Sequence, residues 1–335
     1  MTQEEFVDLC VNGNYEQVCD AIRSGIDPNI EGKFGKVSIL PISTAASFGN
    51  QDTVRALAES GANCADGFTS ATIKHEMAIV SLLVKCGADI NALDRSGHNA
   101  LITAATLNSP DSMEEIISLG ADVNVKSDAG YTALTYAAMM SSSPDNCKFS
   151  PRIVSLLMEN GADYYAAMML AINTGNSEFI RLLLENGADP DISDAKGRTP
   201  LMIAATDEEI DPEVIDILLE FGADIDAADN RGLTALMWAV AGVDKIPNFM
   251  IPALIRTGGM RAKGWEKWCA FVSLYNSAKH ELQIDAVKRL LERGADVNIF
   301  DKRGMNAMMY AIANDDYETA DMLSDAGAQI NFDLT

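Results

Sequence analysis

Short apolar segments with helical spacing recur along the chain, and each is followed by Gly-Ala-Asp or a close variant. Two of them are Ile-Val-Ser-Leu-Leu at 153–157 and Ile-Arg-Leu-Leu-Leu at 180–184. Apolar residues three and four positions apart lie on one face of a helix, and glycine readily takes the left-handed conformation that ends one. The pattern therefore predicts a helix before each of ten glycines: Gly25, Gly61, Gly87, Gly120, Gly161, Gly187, Gly222, Gly259, Gly294 and Gly327.

The residues after most of these glycines predict an extended stretch, a turn and a further helix. Turns such as Asp-Arg-Ser-Gly at 94–97 and Asp-Asn-Arg-Gly at 229–232 combine an Asp that closes the turn with a Gly that tolerates positive φ. The helix that follows opens with Thr199-Pro200-Leu201 or a relative of it, in which Thr caps the helix and Pro suits its first position. We call each projecting turn, with its extended flanks, a finger.

These features recur together in register and resemble the ankyrin repeat, down to paired alanines such as Ala204-Ala205. The resemblance implies an all-α fold, an ankyrin-repeat solenoid of stacked helix-turn-helix units with short extended hairpin fingers. The 335 residues would by length alone suggest more than one domain, but the repeats predict a single ankyrin-repeat domain over 1–335. Its ten units are predicted at about 1–25, 26–61, 62–87, 88–120, 121–161, 162–187, 188–222, 223–259, 260–294 and 295–335.

Unit length varies along the chain in an ordered way. The spacings from Gly61 to Gly87 and from Gly161 to Gly187 are only 26 residues, so we expect these two units to lack a finger. Residues 141–150 and 241–247 are predicted insertions between paired helices, the first closed by Ser150 as a helix cap. Because short, ordinary and long units follow each other twice, we also hypothesise that a three-unit block was duplicated, as 62–161 and 162–259.

One residue type of the family is missing. The His that follows the conserved Leu in ankyrin repeats is replaced here, for example by Met202, Met237 and Met309. In the family that His supports hydrogen bonds to the turns, so we expect those bonds to be missing and the units to pack through methionine instead.

Composition narrows the classes of function. With 25 Lys+Arg against 49 Asp+Glu, the net charge is −24, which opposes binding to nucleic acid or to anionic lipid. We find no apolar run long enough to span a membrane, and the acidic N-terminus is unlike an export signal, so the expected location is cytoplasmic. The six cysteines form no Cys-x-x-Cys pair, so reduced thiols are expected instead of a zinc site.

The charge is unevenly distributed. Residues 245–303 hold eleven Lys+Arg and six Asp+Glu, so this segment carries +5 and the remainder −29. All three tryptophans lie in or beside it, and Arg and Trp are common at binding hot spots. A solvated face with core tryptophans is one interpretation of this segment. The other is a partner site, formed by Arg261, Lys263, Trp265, Lys302 and Arg303.

Catalytic and metal-binding patterns are incomplete. His75-Glu76 and His280-Glu281 each begin a zinc-protease motif, but Ile79 and Ile284 occupy the position of the second His. The remaining histidine, His98, belongs to another unit. We therefore expect no enzyme activity, no catalytic residue, no metal and no cofactor.

The resemblance implies a function in binding. Ankyrin-repeat proteins bind partners through finger tips and the exposed face of the first helix, so we expect a monomer that binds another protein on this concave surface. The matching first-helix ends include Leu107, Met139 and Met140. The matching candidate finger residues are Leu93, Arg95, Tyr131, Arg198, Arg231, Leu233, Phe300 and Met305. The alternative is an acidic inhibitor or immunity-type protein that neutralises a basic protein such as a nuclease.

Overall fold

The structure is a computed structural model that describes residues 1–12, 15–34, 37–142, 149–206, 213–241 and 280–330. It divides into two compact units, Met1–Ala167 and Met168–Thr335, here called the N-terminal and C-terminal halves. The described residues contain eighteen helices and one short antiparallel hairpin. The expectation of an all-α ankyrin-repeat fold is confirmed.

The N-terminal half consists of helix pairs. First helices pack side by side in the order α1, α3, α5, α7, α9, and second helices in the order α2, α4, α6, α8, α10. The elements are α1 Gln3–Asn12, α2 Tyr15–Arg23, β1 Gly32–Phe34, β2 Val37–Ile39, α3 Pro41–Ser47, α4 Gln51–Glu59, α5 Ala65–Ile73, α6 Met77–Lys85, α7 Ala100–Thr106, α8 Pro110–Ser118, α9 Ala133–Ser141 and α10 Pro151–Glu159. The strands β1 and β2 form the first finger, in which Gly32 lies opposite Ile39.

The C-terminal half is likewise built from helix pairs, and in the sequence it follows the start of α11. First helices α13, α15 and α17 pack in order, and second helices α12, α14 and α16 do likewise. The elements are α11 Tyr165–Asn173, α12 Ser177–Glu185, α13 Pro200–Thr206, α14 Glu213–Glu220, α15 Ala235–Ala241, α16 His280–Glu292, α17 Ala307–Ala313 and α18 Tyr317–Asp325.

The helix α16 is the second helix of the pair that α15 begins. It packs against α15 and α14, and Asp216 of α14 forms ion pairs with both Arg289 and Arg293. The backbone N–H of Lys302 also donates to the carbonyl of Arg231 at 2.9 Å, which joins the fingers on either side. The sequence pattern places α16 in the predicted unit 260–294, and this boundary stays a prediction because the first part of that unit is not among the described residues. Residues 242–279 lie outside the described part of the chain.

Helix caps and the core follow the predicted pattern closely. The Thr132 hydroxyl and the Asn99 side-chain carbonyl each accept a backbone N–H in the first turn of the following helix, and such a cap stabilises a helix by about 1 kcal/mol. Met202 and Met237 are buried, as expected for residues that fill the position of the missing His. Ser150 does precede α10, but its side chain makes no cap. Instead its backbone N–H donates to Asn108, at 2.9 Å.

The two short units lack a finger, as predicted. The helices α5 and α11 begin four residues after Gly61 and Gly161. In place of a finger, the side chain of Asn63 accepts the N–H of Ala65 (3.2 Å), and that of Asp163 accepts the N–H of Tyr165 (3.0 Å). A single Asx turn thus carries the chain directly into the next helix.

Candidate protein-binding surfaces

Four of the fingers are each closed by the side chain of the Asp that opens the turn. The Oδ1 atom of Asp229 accepts the backbone N–H of Arg231 (2.7 Å) and of Leu233 (2.9 Å), and Asp94, Asp194 and Asp301 do the same in their own turns. Burial acts to raise the pKa of Asp94, but hydrogen bonds from Ser96 and His98 outweigh it, so the pKa is lowered. The turn carboxylates are therefore structural groups that hold the fingers closed.

This geometry corrects two predicted contact residues. Leu233 and Met305 were expected to be exposed at the finger surface, but both are fully buried. Their backbone N–H groups bond to the turn Asp, and their side chains belong to the core beneath the turn. They therefore support the fingers from below.

Links from the turns to the first helices exist despite the missing His. Position 136 carries a Tyr whose hydroxyl lies 3.0 Å from Nε2 of His98. The hydroxyl of Tyr310, at the equivalent place in α17, donates to Asp301 at 2.7 Å. Burial, followed by this bond, raises the pKa of Tyr310. In these two units, therefore, a Tyr one position after that of the missing His connects the first helix to a turn.

The N-terminal half carries a row of exposed apolar side chains at the C-terminal ends of four successive first helices. Phe48 and Leu107 directly follow α3 and α7, Ile73 ends α5, and Met139 lies in the last turn of α9; their exposed fractions are 61%, 42%, 51% and 43%. We call these four residues the apolar row. In the C-terminal half, the residues at the corresponding two sequence positions of each unit are polar or small: Asn173-Thr174, Thr206-Asp207, Ala241-Gly242 and Ala313-Asn314.

Only half of this row could be recognised from the sequence. Leu107 and Met139 are among the first-helix positions predicted to contact a partner, whereas Phe48 and Ile73 are not. The signal was present in the register, since Phe48 is the second residue after Ala45-Ala46, as Leu107 is after its own alanine pair. In the short unit around Ile73 the register was harder to read, because no finger precedes the helix.

The remaining N-terminal candidates have different surroundings. Tyr131 is exposed and packs edge-on against Tyr136, while Leu93 is half-buried. Arg95 is exposed but already paired, since its Nε donates to Asp66 (2.9 Å) and its Nη1 to Glu31 (3.1 Å). These two bonds reach across the unit that lacks a finger.

In the C-terminal half, two predicted arginines flank one indole. The Cζ atoms of Arg198 and Arg231 lie 5.9 Å and 5.1 Å from the centroid of Trp238. Their Nε atoms donate to the turn carboxylates of Asp194 (2.7 Å) and Asp229 (3.3 Å). Cation–π contact and these bonds hold both guanidinium groups in place.

The last finger adds further predicted candidates. Phe300 and Lys302 are exposed and Arg303 is half-buried, and the Lys302 ammonium donates to the carbonyl of Asn230 at 2.8 Å. The predicted site residues Arg261, Lys263 and Trp265 lie outside the described residues.

The described residues give little support for catalysis, metal binding or a membrane-spanning helix. His75 lies 3.4 Å from the Ser112 hydroxyl, and His98 contacts Tyr136, so each makes a local structural contact. No group of three His, Cys, Asp or Glu side chains in the described ranges is arranged to hold a metal ion. No described helix combines the length and apolar content needed to cross a bilayer.

Comparisons with known proteins agree on the fold. The family model described as ankyrin repeats (3 copies) matches residues 68–167, 168–255 and 270–333. The crystal structure of the ankyrin repeat domain of Bcl-3, a member of the IkappaB protein family, is similar to this chain with a TM-score of 0.51 and 20% sequence identity. That similarity covers 84% of this chain and 98% of the Bcl-3 chain. No curated protein matches the sequence. Since the family model covers well over half of its residues, the chain belongs to the ankyrin-repeat family.

Proposed function

We propose that this protein is a non-enzymatic scaffold that binds a protein partner along its fingers and first helices, with the apolar row as the principal contact of the N-terminal half. Among the described residues, eight large apolar side chains are exposed, and four of them are the apolar row. Their recurrence at or beside the C-terminal end of the first helix in four neighbouring pairs is the observation that carries the proposal, because scattered single apolar residues need no functional explanation.

Burial of the apolar row under a partner would contribute to the free energy of binding. Full burial of a large apolar side chain contributes roughly 1.5–3 kcal/mol, and these four side chains are about half exposed. Covering the row therefore supplies roughly 1 kcal/mol per residue. Four such contacts are worth about three orders of magnitude in affinity.

The experiment is affinity purification from the native cell with three forms of the full chain. One is the wild type, and the second is a variant in which Phe48, Ile73, Leu107 and Met139 are changed to Ser. The third replaces Tyr317, which is similarly exposed but lies outside the row, with Ser. We expect the wild type and the third form to recover the same partner and the row variant to lose it. Equal recovery by all three would refute the role of the row.

The basic segment is tested in the same experiment. A variant of Arg261, Lys263, Trp265, Lys302 and Arg303 that still recovers the partner would remove this segment from the binding surface. The alternative function, an acidic inhibitor of a basic protein, rests on the net charge of −24. It requires an association rate that falls steeply between low and physiological salt, whereas an apolar contact predicts a nearly constant rate.

A further inference from the structure

Arginines of the fingers in the C-terminal half lie close to aromatic rings of the first helices. The Cζ atoms of Arg198 and Arg231 lie 5.9 Å and 5.1 Å from the centroid of Trp238. In the next finger, Asp301 accepts both the backbone N–H of Arg303 (2.8 Å) and the hydroxyl of Tyr310 (2.7 Å). We call the three arginines and the two aromatic residues the arginine ladder: Arg198, Arg231, Trp238, Arg303 and Tyr310. The carbonyls of Lys196 and Arg231 each accept a backbone N–H of the next finger at 2.9 Å, so the three fingers form a continuous row.

The cationic groups of the ladder face outward, whereas the carboxylates beside them are turned inward. The side chains of Arg198 and Arg231 are 34% and 39% exposed. Their carboxylate partners, Asp194 and Asp229, are 14% and 1% exposed and already accept backbone N–H groups. The strip therefore presents positive charge to solvent, although the chain as a whole is strongly acidic.

The terminal nitrogens of these arginines are available to an acceptor. Each guanidinium group uses its Nε for the turn Asp, and its Nη atoms have no hydrogen-bond partner among the described residues. Donors placed in this way suit a carboxylate, which accepts two parallel bonds from one guanidinium group.

The spacing of the ladder selects the conformation of its ligand. Because the Cζ atoms of Arg198 and Arg231 flank a single ring, their separation is at most about 11 Å. Neighbouring packed helices are about 8–10 Å apart, which sets the step from one finger to the next. A polyproline II segment rises about 3.1 Å per residue and has three residues per turn, so every third side chain lies on one face about 9 Å from the last.

We propose that the arginine ladder binds an acidic segment of a protein partner in the polyproline II conformation, with a carboxylate at every third residue. The inference rests on the proposed scaffold function and specifies the chemistry of one partner segment. A peptide is favoured over a nucleic acid because the overall charge of −24 repels a dense polyanion, and because a turn carboxylate accompanies each arginine of the strip.

The test measures binding of fluorescent peptides to the full chain by anisotropy. The first peptide is (Glu-Pro-Pro)4, and the second has the same composition with its four Glu residues adjacent in the middle. A 12-residue oligothymidylate is the third ligand. We expect saturable binding of the spaced peptide, at least about tenfold weaker binding of the clustered one, and no competition by the oligonucleotide.

Substitutions of single arginines test whether the spaced peptide binds at the arginine ladder. Each of Arg198→Gln, Arg231→Gln and Arg303→Gln is expected to weaken binding about tenfold, and Arg231→Lys to weaken it less, since it keeps the charge but loses the two-pronged geometry. The matched control is Arg181→Gln. Arg181 lies 5.9 Å from the ring of Phe221 and pairs with Glu220, so it has the same chemistry outside the fingers. Circular dichroism and thermal melting establish that each variant is folded.

Several outcomes would overturn the proposal. They are the absence of saturable peptide binding, an equal loss with Arg181→Gln, equal affinity for the two peptides, and tighter binding of the oligonucleotide. If the apolar-row variant still loses the captured partner, each of these outcomes would contradict only the peptide site and not the proposed scaffold function. Conversely, the apolar-row variant could bind the spaced peptide normally and also retain the captured partner. This result would refute the contact proposed for the apolar row without contradicting peptide binding by the arginine ladder.

Discussion

Replacing Asp191 with Asn is expected to stabilise the C-terminal half. Asn occupies the equivalent position in other units, where it bridges to the next one with both ends of its amide. The Oδ1 of Asn124 accepts the N–H of Asp163 (2.7 Å), and its Nδ2 donates to the carbonyl of Gly161 (3.0 Å). Asn298 makes the same pair of bonds, to Gln329 and Gly327. Asp191 accepts the N–H of Asp224 at 3.0 Å but has no donor to offer.

The magnitude follows from these contacts. A hydrogen bond to a backbone carbonyl adds about 0.5–1.5 kcal/mol. Burial, followed by the charges of Asp189 and Asp224, raises the pKa of Asp191 above its ordinary 3.8, despite the bond from the Asp224 N–H. The neutral amide avoids this cost of ionisation as well. The expected gain for Asp191→Asn is therefore about 1–2 kcal/mol in the free energy of unfolding at pH 7.

The assay is urea denaturation of the full chain followed by circular dichroism, with two further variants. Asn124→Asp, the reverse change in the N-terminal half, should destabilise by a similar amount. Asp226→Asn adds the same donor where Asp226 accepts the N–H of Asp296, and should stabilise. Because the pKa of Asp191 is raised in the folded state, its favourable contribution is complete below pH 3.8 and is lost as the pH rises. The advantage of Asp191→Asn should therefore grow between pH 3 and pH 7. Unchanged or lower stability of this variant at pH 7 would refute the reasoning.

Three further predictions concern the fingers and can be measured in the same denaturation assay. Tyr310→Phe removes the donor to the buried Asp301 and should cost about 1–3 kcal/mol, whereas Tyr131→Phe, at an exposed ring, should be nearly neutral. Gly97→Ala should lower the free energy of unfolding by about 1–3 kcal/mol, because Gly97 has φ +76° and an added Cβ would lie 2.6 Å from Asp128. Gly130→Ala should lower it by less, because Gly130 has a similar φ of +83° but an added Cβ there would meet no other atom within 4 Å. Arg95→Ala leaves the buried Asp66 without its ion pair and should lower the free energy of unfolding by about 1–2 kcal/mol. Glu31→Gln removes only the exposed partner of Arg95 and should lower it by less than about 0.5 kcal/mol. Equal losses within any of these pairs would contradict the corresponding contact.

The repeated elements could be predicted because they depend on local chemistry. A turn Asp bonds to N–H groups two and four residues away, and a Thr or Asn cap bonds to an N–H three residues away. Such interactions are fully contained in a short window of sequence. The absence of a finger after Gly61 and Gly161 was likewise visible from spacing alone.

Features that depend on contacts between units could not be predicted in this way. Leu233 and Met305 look like surface residues in a polar turn, and only the packing beneath the fingers shows that they are buried. The packing of α16 against α14 depends on long-range contacts such as that of Asp216 with Arg289, which span 73 residues. The apolar row is distributed over four units, so no single window reveals it.

The most direct test of the scaffold function is hydrogen–deuterium exchange of the full chain, free and bound to its captured partner. The C-terminal ends of α3, α5, α7 and α9 adjoin the apolar row, and the account predicts that the partner slows exchange at these four ends together. The N-terminal parts of α4, α6 and α8 adjoin the same ends and should be the next most protected. Protection confined to the second helices, with no change at the four first-helix ends, would contradict it.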